Sequence, residues 1–197
     1  MTEQERFEEI VARMVELKDT SELMLDLAYS ALMLNNRELA EEVQALEEYV
    51  DELHTKFELL ALTSDFKKEE ASGFLGLIRI GVATEKIADA AAEMAEVVLR
   101  GLEPHPVLKL AIKAAEETVA QACVSAGSPL VNKTLKEARV HEETGMWVLL
   151  IKRDEKHLRP KGDSRIQEGD ILVASGYAKG VEDLKKLASP EQVCEIE

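Results

Sequence analysis

Cysteines, aromatic residues and positive charges are scarce in this sequence of 197 residues. The two cysteines, Cys123 and Cys194, form no CxxC pair, which excludes a zinc site of that kind and is typical of a reducing compartment. Aromatic residues make up 4% of the chain, so the core must be built mainly from aliphatic side chains. Lys and Arg number 24 against 39 Asp and Glu, a net charge of −15, so we expect no nucleic-acid partner.

Several longer signals are also missing. No GxGxxG or GxxxxGK[ST] loop occurs, and no apolar run is long enough to span a bilayer. Charged residues begin at the third position, which argues against a signal peptide. No nucleophile, base and orienting group come together in a recognisable motif, so we expect no enzymatic activity. These absences predict a cytoplasmic protein without direct membrane insertion.

Apolar periodicity predicts three long helices in residues 1–100. The first ends at Asn35–Asn36, and the third runs from about Lys68 to Leu99. The second carries an unbroken seam with alternating steps of four and three: Leu39, Val43, Leu46, Val50, Leu53, Phe57 and Leu60. The third carries two stripes, one of Leu77, Ile80, Thr84, Ile87, Ala91, Met94 and Val98, the other of Phe74, Ile78, Gly81, Glu85, Ala88, Ala92 and Ala95. This pattern predicts an antiparallel helical bundle.

The periodicity changes in the second part of the chain. Two prolines close to Gly101 open a linker over residues 101–118, which contains a short helix from Val107 to about Thr118. Strands are expected at 119–124, 147–151 and 171–174, and a last helix at 181–188. The fold prediction is therefore a helical bundle, 1–100, followed by a small α+β domain, 119–190. Residues 1–115 carry 24 acidic and 12 basic side chains, so most of the acidity belongs to the bundle.

Two carboxylate pairs with i, i+4 spacing are the candidate metal ligands: Glu47 with Asp51, and Glu85 with Asp89. Glu85 ranks first, because it lies in a stripe of small residues where a buried carboxylate needs a metal, an Arg or a proton. A salt bridge to Arg79 or Lys86 is the alternative. Glu47 ranks last because it is expected to be solvated. Oxygen ligands suit Mg²⁺, Ca²⁺ or Mn²⁺. His54 and His105 are assigned to the surface.

Residues 119–188 resemble the TrkA carboxy-terminal domain, also called RCK-C. The resemblance rests on Ser128–Leu135 (SPLVNKTL), on Gly145 before Trp147–Ile151 (WVLLI), and on Pro160–Leu172 (PKGDSRIQEGDIL). Residues 1–100 resemble one three-helix repeat of the PhoU family, whose ExxxD motif corresponds to the two carboxylate pairs. Proteins of that family with two repeats suggest that this chain rebuilds six helices as a homodimer.

The resemblance implies a cytoplasmic regulator of cation transport, with potassium as the expected ion and a membrane transporter or channel subunit as the partner. RCK-C domains bind small ligands between two copies, in some members cyclic di-AMP. The PhoU resemblance implies the alternative, a metal-binding adaptor in phosphate signalling, with a divalent metal or iron as the candidate ion.

Five residues are expected to contact the ligand of the RCK-C domain: His141, Trp147, Ile151, Arg153 and Arg159. The sequence departs from nucleotide-binding members, which favour an arginine and an asparagine where this chain has His141 and Trp147. Arg153 and Arg159 belong to a local basic cluster, which is either a solvated hairpin tip or an anion contact. The identity of the ligand stays open.

Overall fold

The computed structural model describes residues 3–64, 67–102, 105–107, 110, 116–154 and 156–190. The chain forms two compact units, which divide between residues 104 and 105. The domain boundaries expected at residues 100 and 119 stay predictions, because the segment between them is only partly described. Among the described residues, no helix is both long and apolar enough to cross a membrane.

Three long helices form the first unit, and each packs against the other two. Their bounds are α1 Glu3–Leu34, α2 Arg37–Leu62 and α3 Ala71–Leu99, with a 3-10 turn at Lys68–Glu70 before α3. Two residues join α1 to α2, so these helices run antiparallel. Asn35 has a φ of 47°, which asparagine tolerates, and the Asn36 side chain accepts a hydrogen bond from the Leu39 N–H at 3.0 Å. The predicted bundle is confirmed.

The seam predicted on α2 faces the core. Five of its seven residues are at most 3% exposed: Leu39, Val43, Val50, Leu53 and Phe57. Leu46 and Leu60 are half-buried at its margin. A step of alternating four and three residues keeps one stripe against the neighbouring helices, which explains why the pattern predicted burial so well.

The stripes predicted on α3 are only partly correct. The buried seam, which we call the inner seam, consists of Gly81, Thr84, Ala88, Ala91, Ala95 and Val98. Ile80 and Ile87, which the sequence grouped with Thr84, are 54% and 46% exposed. A Cβ on Gly81 would lie 2.6 Å from Phe57 Cε1, so only a glycine lets α3 approach that ring. The inner seam is therefore made of small residues because large side chains of α2 fill the space between the helices.

The second unit contains a four-stranded antiparallel sheet of β1 Glu117–Cys123, β2 Met146–Arg153, β3 Lys156–Leu158 and β4 Ile171–Tyr177. The strand order is β1-β4-β2-β3. The helices are α4 Leu135–Ala138, α5 Val140–Thr144 and α6 Val181–Ala188. This confirms the predicted α+β class. Thr118 lies in β1, so the predicted linker helix does not reach it.

One face of the sheet carries the core of this unit. Ala120 pairs with Ala174 in the register of β1 and β4, and both are buried together with Leu172, Met146 and Ile151. Leu184 of α6 is fully buried against this core. A Cβ on Gly180 would lie 1.9 Å from the Thr144 carbonyl oxygen, so glycine is required where the chain enters α6. That contact holds α6 against the turn that leads into β2.

Candidate metal and ligand sites

Three carboxylates converge between α2 and α3. Glu47 and Asp51 lie one turn apart on α2, and Asp89 faces them from α3. One carboxylate oxygen from each of the three residues lies within 4.8 Å of the other two. We call these three residues the carboxylate cluster. Glu47 and Asp89 are half-buried, whereas Asp51 is exposed. The cluster is therefore open to solvent on one side and has three oxygen donors at ligand-like separations.

The electrostatics of the cluster favour a cation. Burial raises the pKa of Glu47, and the negative charges of Asp51 and Asp89 raise that pKa further. A bound divalent cation removes this repulsion, and carboxylate oxygens are the donors that Mg²⁺, Ca²⁺ and Mn²⁺ prefer. The residues of the cluster thus fit a hard divalent cation.

Glu85 lies beside the carboxylate cluster and outside the group of three. Burial raises the pKa of Glu85, Asp89 raises it further, and the neighbouring His54 acts in the opposite direction. The sequence ranked Glu85 first and Glu47 last, whereas the structure brings Glu47 into the cluster. The physical reason is that α2 and α3 meet along the face of α2 that carries Glu47. The position of Glu47 beside the seam of α2 did not reveal this contact.

His54 was assigned to the surface, and this prediction is wrong. Its side chain is 13% exposed, and its Nε2 lies 3.6 Å from a carboxylate oxygen of Glu58. The imidazole packs close to Gly81, where the absence of a side chain makes room for it. His54 lies three residues after Asp51 on α2, and residues with this spacing share a helix face. This spacing was the available signal that His54 lies near the carboxylates. His105 is exposed, as expected.

In the second unit, His141 and Trp147 stack on each other. Their ring centroids are 3.7 Å apart and the ring planes differ by 18°. The turn at Gly145, with a φ of 69°, brings His141 of α5 against Trp147 at the start of β2. Trp147 is 61% exposed, so the outer part of its indole is available to a planar ligand.

The other three predicted ligand contacts have different surroundings. Ile151 is 1% exposed and belongs to the core. Arg159 is exposed. Arg153 donates to both carboxylate oxygens of Asp170, from Nε at 2.7 Å and from Nη2 at 2.8 Å. All five contacts stay predictions, but Arg153 has a structural partner that the sequence did not indicate.

Asp170 is a residue that sequence analysis missed. Its carboxylate is fully buried, accepts the two bonds from Arg153 and also accepts the Gln167 N–H at 2.7 Å. An acidic residue directly before a buried strand is the signal that the sequence offers. This pair fastens the loop before β4 to β2.

Cys123 is the last residue of β1 and lies between the buried Ala122 and Val124. Its side chain is half-buried. Cys194, the other cysteine of the sequence, lies outside the described residues. The expectation of a reducing compartment stays a prediction.

Comparison with protein families identifies both units. Residues 14–98 match the model of the PhoU domain, and residues 119–189 match the model of the TrkA-C domain. A curated relative, the uncharacterized protein YrvC of Bacillus subtilis strain 168, is 31% identical over 107 residues. That match covers 52% of this chain and 65% of YrvC.

Solved structures show weaker likeness. The GsuK channel bound to NAD matches with 18% identity and a TM-score of 0.34, over 56% of this chain and 21% of that chain. BusR of S. agalactiae in complex with promoter DNA matches with 17% identity and a TM-score of 0.35, over 89% of this chain and 98% of that chain. Such values carry no inference about the function of this chain. The expectation that it binds no nucleic acid is not supported by these comparisons and stays a prediction from net charge.

Proposed function

Because the chain is a PhoU domain followed by a TrkA-C domain, we propose that it is a non-enzymatic regulator of a cation transport system, with potassium as the transported ion. The observation that carries this proposal is the match of residues 119–189 to TrkA-C, a ligand-sensing regulatory domain. Both matched domains are regulatory domains, which are typically non-catalytic. In this proposal the protein works in the cytoplasm as a homodimer, beside a membrane transporter or channel subunit.

The stacked pair of His141 and Trp147 supports a ligand with a flat ring. Stacking of a base on an aromatic side chain contributes about 1–3 kcal/mol, and the indole of Trp147 is 61% exposed. We propose that a nucleotide such as cyclic di-AMP stacks on this indole, with Arg159 near the phosphates. The guanidinium of Arg153 is paired with Asp170, so in this proposal Arg153 shapes the ligand site and does not neutralise the phosphates.

Tryptophan fluorescence tests ligand sensing directly, because Trp147 is the one tryptophan of the sequence. Cyclic di-AMP, ATP and NAD⁺ are titrated separately into the full chain. Saturable quenching by one of them, together with a raised thermal midpoint, is the expected result. In Trp147→Ala the shift in midpoint disappears, whereas the control Lys156→Ala, at an exposed position of β3, retains it. No response to any of the three nucleotides contradicts this part of the proposal.

The role in transport needs a separate test. Uptake of Rb⁺, which reports on potassium transport, is compared in cells with and without the chain. Changed uptake that returns with the wild-type chain and not with Trp147→Ala is expected. Unchanged uptake with a chain that does bind a nucleotide contradicts the role in transport and leaves ligand sensing intact.

The carboxylate cluster favours a second candidate, a metal-responsive adaptor in phosphate signalling. Here the PhoU domain acts and Glu47, Asp51 and Asp89 hold the metal. Mn²⁺ bound after dialysis is measured by elemental analysis, for the wild type and for Asp51→Asn. The control is Glu52→Gln, an exposed neighbour that pairs with Lys56 on the same helix. Stoichiometric Mn²⁺ that only Asp51→Asn removes supports this candidate, and equal binding by all three chains contradicts it.

A further inference from the structure

A second apolar seam follows the outside of α3. We call it the outer seam, and it consists of Gly76, Ile80, Ala83, Ile87, Ala90, Met94 and Val97. The steps alternate between four and three from Gly76 to Val97, as in a coiled coil. Ile80 and Ile87 are 54% and 46% exposed, and the two alanines are exposed as well. An apolar stripe with this repeat is typical of a helix that packs against another helix.

The outer seam runs beside the inner seam at a displacement of one residue. Ile80 precedes Gly81, Ile87 precedes Ala88, and Met94 precedes Ala95, so the two seams are about 100° apart around the helix. The inner seam is buried by α1 and α2. The outer seam carries the larger side chains. In the single chain its middle part, Ile80 to Ala90, is exposed, whereas Gly76, Met94 and Val97 are half-buried.

We propose that the outer seam binds the same seam of a second copy of this chain, with the two α3 helices antiparallel. This interface rests on the homodimer of the proposed function, for which it names the contact between PhoU domains, and it does not depend on a ligand or a metal. A two-fold axis between residues 88 and 89 relates the copies, so each contact occurs twice. Two observations favour a second copy as the occupant: the order of large and small residues along the seam, and the charges beside it.

The side-chain sizes fit an antiparallel pair. About that axis, Ile87 meets Ala90 of the second copy, Met94 meets Ala83, and Ile80 meets Val97. Each of these layers thus combines a large residue with a smaller one, so the distance between the helices stays even from Ile80 to Val97. Gly76 lies outside this paired stretch. A parallel pair would place isoleucine on isoleucine and alanine on alanine in alternate layers, which no single distance can fill well.

The charges beside the seam fit the same register. Lys86 and Glu93 are exposed and each directly precedes a residue of the outer seam. Residues at this heptad position face their equivalents in an antiparallel pair, so Lys86 of each copy meets Glu93 of the other. At the ends Arg79 meets Arg100, whose charge is already balanced by Glu96 at 2.9 Å on its own helix. The centre of the interface is therefore charge-complementary to itself.

Charge exchange tests the interface in the full chain. Sedimentation equilibrium at low salt measures the association constant of each variant. We expect Lys86→Glu and Glu93→Lys to weaken association about fivefold or more, because two ion pairs become two repulsions. The double variant restores both pairs and is expected to return to within about threefold of the wild type. A double variant as weak as the single ones overturns the antiparallel register.

A core substitution and a cross-link complete the test. Ile87→Asp is expected to weaken the association about a hundredfold, whereas the control Leu59→Asp, at a 57% exposed leucine of α2, leaves it unchanged. Contacts between TrkA-C domains are the same in both variants, so they cancel in this comparison. Carbodiimide treatment of mixed light and isotope-labelled chains should link Lys86 of one copy to Glu93 of the other. Absence of that mixed link, or equal association of the two aspartate variants, overturns the proposal.

Discussion

Carboxylates in the two domains have opposite surroundings. In the TrkA-C domain, Asp170 is fully buried and accepts hydrogen bonds from Arg153 and from the Gln167 backbone. In the PhoU domain, Glu47 and Asp89 are half-buried beside Asp51, and their negative charges act on one another. One acidic group is fully compensated, and the other three repel each other.

This difference separates a structural carboxylate from a binding one. A buried charge with complete hydrogen bonding fastens two segments together and has no capacity left for a ligand. A set of partly exposed carboxylates that repel each other lowers the stability of the empty protein and gains from a cation. The partners of each acid therefore indicate its role better than burial alone.

Breaking the compensated pair should have the largest effect. In Arg153→Met the Asp170 carboxylate stays buried with only the Gln167 N–H, and we expect a loss of about 3 kcal/mol in the free energy of unfolding. Urea unfolding followed by Trp147 fluorescence measures it, because this tryptophan lies on the same strand as Arg153. Asp170→Ala should cost less, about 2 kcal/mol, since the Arg153 side chain is 27% exposed and can turn to water.

Lys156→Met is the matched control for that measurement. Lys156 is exposed on β3, and its replacement by methionine removes one positive charge, as Arg153→Met does. The free energy of unfolding is expected to change by no more than about 0.5 kcal/mol. A loss under about 1 kcal/mol for Arg153→Met would show that the pair is not what holds the loop before β4.

Removing a charge from the carboxylate cluster should raise the free energy of unfolding, whereas breaking the Arg153–Asp170 pair lowers it. The pKa of Glu47 is raised by burial and by Asp51, so the stabilisation from its protonated form is present below the ordinary carboxyl pKa of about 4.3 and is lost as the pH rises through the raised value. With a chelator present, Glu47→Gln should be more stable than the wild type at neutral pH, by about 0.5–1 kcal/mol. Helical circular dichroism during urea unfolding measures this difference.

The pH profile is the control for this second prediction. The advantage of Glu47→Gln should shrink as the pH falls toward about 4, where the wild-type carboxyl is protonated. The same change at Glu52, which pairs with Lys56, should show no such gain. An advantage of Glu47→Gln that does not depend on pH would contradict electrostatic repulsion as its cause.

Most of the fold could be predicted from the sequence because its signals are local. The step of four and three placed the seam of α2, and alternating turns and apolar runs placed β2, β4 and α6. Adjacent helix residues are about 100° apart, however, so periodicity did not decide which of two neighbouring seams of α3 faces inward. The ring of Phe57 decides it, because only Gly81 lets the helices approach. β3 has three residues and was missed for its length.

The sites were less predictable because they depend on pairs of elements. The ExxxD spacing gave the four candidate carboxylates, but their distances depend on the rotation of α2 against α3. Likewise, Arg153 and Asp170 are 17 residues apart, and the register of β2 and β4 brings them together. The stacking of His141 on Trp147 depends on the left-handed turn at Gly145. Such contacts between elements have no signal in local spacing.

The smallest predicted effect is that of Glu85 on Mn²⁺ affinity. It distinguishes the ranking from sequence, with Glu85 first and Glu47 last, from the structure, in which Glu47 belongs to the carboxylate cluster. Glu85 lies outside the group of three oxygens, so Glu85→Gln should change the affinity for Mn²⁺ by less than about threefold. Glu47→Gln removes one of the three donors and should lower it by more than about tenfold. Titration of each metal-free variant with Mn²⁺, followed by calorimetry, compares the two. A larger loss for Glu85→Gln would restore the order inferred from sequence, and would mean that the cation sits closer to the small residues of α3 than to Asp51.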